Sequence, residues 1–232
     1  MKAAITLLAL LFLASSAPAF MLARPVEFLS QDDLIAAGAG ITTQKYPNAD
    51  AVIVDDYSRT VYLDDGLYNS VNDSCIKVLT EKGRRDNRTH TFHFNNAYGT
   101  AVIVRVDIIQ PDGMVMPVDI GEQSKTMVDR SQMGMNIYNP KQKILQLNLP
   151  NLEIGDMVRY IVKRRQWKSR MPDTWSDYSV LEYTMPFYRA SIEVFGPTNL
   201  PLLHTLVKDP VGDTVSFTET PMFHAPVQCG YR

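Results

Sequence analysis

The chain has 232 residues, of which 45% are hydrophobic and 21% charged, and a formal net charge of -2. That balance suits a globular protein with enough chain to bury a core. It gives no general attraction to nucleic acid or to an anionic membrane, so partners have to be recognised locally.

Lys2 precedes an apolar run over residues 3–14, followed by Ser15, Ser16 and the small-residue site Ala17-Pro18-Ala19. This is the pattern of a secretory signal peptide, with cleavage expected between Ala19 and Phe20. The run is shorter than the roughly 20 apolar residues of a spanning helix, and no Cys follows the cleavage point to carry a lipid. The expected protein is therefore periplasmic or secreted, with no membrane span after signal cleavage. Its expected layout is a signal peptide over 1–19, an N-terminal segment with a short helix over 20–45, and a β-sandwich over 46–232. An oxidising compartment would let Cys75 and Cys229, the only cysteines, pair with each other or persist as separate thiols.

Residues 30–38 carry a helix signature: Ser30 at the N-cap, Asp32 and Asp33 in the first turn, and Gly38 at the stop. It is the one helix expected. From Ala51 onward the apolar spacing is two and turn residues recur often, the pattern of an all-β antiparallel fold. A hairpin is expected over residues 60–68, reversing at Asp64-Asp65-Gly66. A second is expected over residues 101–118: Val102, Val104, Val106 and Ile108 share a face, and Gln110-Pro111-Asp112-Gly113 makes the turn. Further strands are read at 75–79, 89–94, 143–149, 157–163, 178–183, 190–195, 202–207 and 214–218, each bounded by turn residues. Leu145, Leu147 and Leu149 form one apolar face and Val158, Tyr160 and Val162 another, which an antiparallel β-sandwich would bury against each other. Residues 121–141, with Met127, Met133 and Met135, follow neither period and read as a long loop.

Catalytic chemistry is sparse. His90 and His93 sit at an odd separation that sends them to opposite faces of a strand, and His204 and His224 are isolated, so no metal site is expected. Asp55-Asp56 and Asp64-Asp65 lack the spacing of a calcium loop and read as turn residues, although a glycosidase pair can have members far apart in sequence. No Gly-rich phosphate loop or nucleophile elbow occurs, and no cofactor is implied. The most suggestive group is the run Lys163, Arg164, Arg165, Trp167, Lys168 and Arg170, with Trp175 and Tyr178 close behind. Cations mixed with aromatics suit an anionic polysaccharide, an envelope polymer or an acidic protein surface. Its plain structural reading is a strand end with solvated cations and Trp167 capping the core.

Four phrases stand in order: Tyr46-Pro47-Asn48-Ala49-Asp50-Ala51-Val52, Ile76-Lys77-Val78-Leu79-Thr80-Glu81-Lys82-Gly83, Ile108-Ile109-Gln110-Pro111-Asp112-Gly113, and Leu149-Pro150-Asn151-Leu152-Glu153-Ile154-Gly155-Asp156-Met157-Val158. Together they resemble the uncharacterised domain that precedes a transglutaminase-like core in exported bacterial proteins, over about residues 47–201. These phrases are turns and strand entries, so they speak to the domain rather than to its activity. The resemblance implies an accessory β-sandwich joined to a papain-like core that uses Cys, His and Asp. Such a core needs a thiol activated by a His that a carboxylate orients. Cys229 has no His after it, and Cys75, in a strand, reads as a buried inert thiol. No catalytic residue is carried over.

The expectation is thus a non-catalytic accessory domain that positions a transglutaminase-like domain, in cis or in trans, on protein or peptide substrate. The alternative is a stand-alone module for carbohydrate or envelope polymer, and a third reading is a hydrolase with unrecognised carboxylates. The sequence reaches Arg232 without a polar tail, as either a piece of a longer protein or a free-standing module would. Asn72 and Asn87 head glycosylation sequons that matter only on a eukaryotic route, whereas the resemblance points to bacteria.

Overall fold

The computed structural model describes residues 28–63, 65–131, 138–179, 184–197, 199–202, 209, 212, 215–218 and 228–231, the last two as strand paths only. The expected signal peptide, Asp64, Met133, Met135, His204, His224 and most of the strands read at 178–183 and 202–207 lie outside the described residues. In chain order the elements are α1 (Gln31–Ala39), β1 (Ala51–Tyr62), β2 (Tyr68–Val78), α2 (Glu81–Asn87), β3 (Thr89–Asn95), β4 (Gly99–Ile109), β5 (Val115–Pro117), α3 (Ile120–Gln123), β6 (Ser124–Val128), β7 (Gln142–Asn148), β8 (Met157–Gln166), β9 (Ala190–Phe195), β10 (Val215–Thr218) and β11 (Gln228–Tyr231).

The strands form two sheets, one ordered β10-β11-β9-β1-β2-β8-β4-β5 and a smaller one ordered β3-β7-β6. Both expected hairpins are present. β1 and β2 pair from Tyr62 opposite Tyr68 to Ala51 opposite Val78, so the strand read at 75–79 is the far end of β2. At their turn Gly66 takes a φ of 75° and the Asp65 carboxylate accepts from the Leu67 amide at 3.0 Å. β4 turns into β5 through Gly113, with φ 88°, whose amide donates to the Gln110 carbonyl at 2.9 Å. Glycine is the residue that enters this backbone region without steric cost.

The two sheets bury their facing sides as the leucine and valine alternation implied. Leu145, Leu147 and Leu149 pack with Val158, Val162, Ile76, Val78, Ile103 and Val106, and Tyr160 lies against them. The opposite face of the large sheet is partly covered by α1 and the segment after it: Leu34, Ile41 and Ala49 pack on Val52, Val54, Cys75, Ile109 and Met157. Ser30 caps α1, its hydroxyl accepting from the Asp33 amide at 3.1 Å. Gly38 lies inside the helix rather than at its stop, because Met157 packs where a Cβ would project, and Gly40 follows as the C-cap.

Several expectations need correction. The fold is not purely antiparallel, since β9 runs parallel to β1. α2 and α3 were not expected. α2 starts at Thr80, whose hydroxyl accepts from the Gly83 amide at 3.1 Å, and it is too short to show a helical period of its own. Residues 121–141 are not all loop: β6 lies within them and pairs with β7, its burial too partial to write a clear alternation. Residues 178 and 179 carry no strand. Asp55 and Asp56 are not turn residues but sit inside β1.

Candidate functional site

Strand alternation divides the basic run. On β8, Lys163 and Arg165 project from one face and are exposed, whereas the guanidinium of Arg164 reaches the other way and donates to the His93 carbonyl at 2.9 Å. Just past the strand, the amides of Trp167 and Lys168 both donate to the Tyr98 carbonyl, at 2.9 and 3.1 Å, and Arg170 lies 5.2 Å over the Tyr98 ring. The chain then crosses the end of the sheet to the β1–β2 turn. There Trp175 stacks on Tyr62, with centroids 4.9 Å apart and planes at 10°, and Tyr62 donates its hydroxyl hydrogen to the Leu200 carbonyl at 2.8 Å. Arg165, Trp167, Lys168, Arg170 and Trp175 therefore gather at one end of the large sheet. Arg164 serves the opposite face, and Tyr178, 87% exposed, has no described contact with the rest. Trp167 does not cap the core: it is 47% exposed.

Beside this end lies an open edge. β5 pairs with β4 only at residues 107–109, and the Val118 amide donates to the Val106 carbonyl. Before Val106, β4 has β8 on one side and no strand on the other among the described residues. One extra residue at Val104 shifts the register against β8, a bulge that bends the strand. Val102, Val104 and Arg105 are exposed while Ile103 and Val106 stay buried.

The same face of the large sheet carries buried charge farther in. Arg159 donates from Nε to Asp73 at 2.9 Å and from Nη2 to the Leu29 carbonyl at 3.3 Å. Arg105 pairs with buried Asp107, and Arg189 clamps Asp55 with bonds of 2.6 and 3.1 Å. Burial raises the Asp55 carboxyl above its ordinary value, with Arg189 opposing. On the opposite face of β1, burial raises Asp56 too, against hydrogen bonds from Asn72 and Ser74. The alternating pattern offered no signal for this network, because acids and arginines inside strands look like solvent-facing positions until the third layer is known.

Cys75 is a free thiol, 1% exposed, and burial pushes it up to about 12. β9 and β1 lie between β2 and β11, the strand whose path carries Cys229. His90 faces the core against Tyr160, 4.9 Å between centroids, whereas His93 is exposed and bonds Asp129 at 3.1 Å. The pair is split between faces, as the odd separation required. Among the described residues no group of three or more His, Cys, Asp or Glu is placed to hold a metal, and no helix is long and apolar enough to cross a membrane.

These features define a β-sandwich-like module with an exposed aromatic and basic end. The chain belongs to the DUF3857 family, a domain of unknown function with solved structures, whose model matches residues 64–220. A crystal structure described as a "putative protease" from Parabacteroides distasonis is similar over 79% of this chain, at 15% identity and a TM-score of 0.65. The present chain spans 35% of that protein's length. Weaker likenesses are to Legionella pneumophila aminopeptidase A in complex with aspartic acid (9% identity, 82% of this chain and 21% of that one, TM-score 0.35) and to the CBM3a-L domain of a Clostridium thermocellum scaffoldin (11% identity, 58% and 79%, TM-score 0.33). At those scores no shared fold is inferred. A search of curated proteins finds no match.

Proposed function

We propose that this chain is a non-catalytic accessory module of an exported bacterial protein, periplasmic or secreted, which positions a transglutaminase-like Cys-His-Asp domain on protein or peptide substrate. The observation that carries the reading is the coverage: 79% of this chain superposes on 35% of the Parabacteroides distasonis protein, so the same fold there is one part of a longer chain. The state of Cys75 agrees with it, since a thiol held near 12 is not the thiolate a nucleophile needs. The signal-like leader supports export.

The carbohydrate alternative keeps Trp167 as an exposed platform, but one face of Trp175 is committed to Tyr62. Reading the native gene past the codon for Arg232 tests the proposal. A frame that continues into a segment with Cys, His and Asp is the expected result. A stop codon there, with peptide or glycan turnover by the purified chain itself, overturns it.

A further inference from the structure

Resting on that accessory reading, the geometry points to a specific receiving site for a partner: the open outer edge of β4, residues 99–105, takes an extended acidic and apolar peptide segment by strand addition. Strand edges present unpaired backbone donors and acceptors, and soluble proteins ordinarily shorten, charge or cover them. Here residues 99–105 contain no proline and no described strand lies beside them. Val102 is exposed by ordinary strand alternation, and the bulge leaves Val104 and Arg105 exposed in succession beside it.

The chemistry of the flanking face selects the occupant. Across the strands, Val102 stands opposite Lys163 and Lys163 opposite Val71; Thr100 stands opposite Arg165 and Arg165 opposite Asn69. This strip holds two valines, two cations and the uncharged Thr100 and Asn69, with no carboxylate among them. Among the described residues neither Lys163 nor Arg165 has an ion-pair partner. Arg105 is matched by its own Asp107. A strand laid along β4 would place alternate side chains over this face. Valine-like groups there would meet Val102 and Val104, and carboxylates would meet the free ends of Lys163 and Arg165, about 10 Å away and within reach of the long side chains. A second copy of the same edge is disfavoured because its own Lys163 and Arg165 would be brought up to the first set.

The probe is a capped, fluorescent decapeptide in which every second residue is by turns glutamate and valine and the residues between are threonine, so that one face of the strand carries both groups; it is compared with the counterpart bearing lysine for glutamate and with the first peptide N-methylated at every second amide. Fluorescence anisotropy with the purified chain should show binding of the first, and a loss of roughly tenfold or more for the other two. Hydrogen exchange should slow at amides within residues 99–105. The Lys163→Glu, Arg165→Glu double variant should weaken the probe by a similar factor while its exchange pattern elsewhere stays that of the native chain. Absent binding, binding that survives N-methylation, protection at another site, or a dimer in sedimentation that buries these same amides overturns the edge site and leaves the accessory reading standing. Cleavage of the bound probe would keep the edge site and overturn the accessory reading.

Discussion

His90 shows how one side chain ties the small sheet to pH. Its ring packs against Tyr160, its Nε2 has no hydrogen-bond partner among the described residues, and burial pushes its pKa from 6.5 down to about 4, against a hydrogen bond to the Asn87 backbone. The unfolded chain therefore takes up a proton below 6.5 that the folded chain refuses until about 4. Stability contributed by neutral His90 is complete above 6.5 and drains away as pH falls through that window, by at most roughly 3 kcal/mol. Chemical denaturation of the wild type and of His90→Phe between pH 7 and 4 should show the wild type losing stability relative to the variant. Parallel profiles would contradict this account. Asp73 and Arg159 are buried partners of another kind: each satisfies the other, so removing either alone would strand a charge in the interior.

At the scale of elements, the exposed end of the large sheet depends on the β1–β2 turn. A Cβ on Gly66 would lie 2.5 Å from the Thr174 carbonyl oxygen, in a backbone with φ 75°. Gly113 has a similar φ of 88°, but its nearest neighbour would be an Ile35 methyl at 3.9 Å. Gly113→Ala should thus cost about 1 kcal/mol through backbone strain alone. Gly66→Ala should also displace Thr174 and loosen Trp175 from Tyr62. In a Trp167→Phe background, tryptophan emission should shift for Gly66→Ala and stay put for Gly113→Ala. Equal spectra would mean that the turn does not hold Trp175.

For the whole molecule, stability rests on the closure of the small sheet over the large one. Leu147 is 0% exposed and packs in the core between the two sheets with Val158 and Val162. Leu147→Ala should cost about 2–5 kcal/mol, through lost burial plus the cavity left behind. Val102→Ala, at an exposed edge position, should leave stability within about 0.5 kcal/mol. Urea unfolding of the two variants reads the contrast. Similar midpoints would mean that the sheets do not share one cooperative core.

The hairpins, the cap of α1, the split of His90 from His93 and the apolar faces of β7 and β8 were all legible in the sequence. They depend on spacing, turn chemistry and propensity within a few residues of one another. Tertiary structure alone decided which strands became neighbours, including the parallel pairing of β9 with β1, because pairing between distant strands leaves no local period to read. It also decided that Asp55, Asp73 and Asp107 would be buried beside arginines, since the same alternation serves a solvated face and a covered one. The candidate site divides the same way: its residue types were visible as a run of cations and aromatics. That Arg164 turns away, that Trp175 is taken by Tyr62 and that the neighbouring edge of β4 has no described strand beside it follow from strand pleat and sheet order, which exist only once the chain has folded.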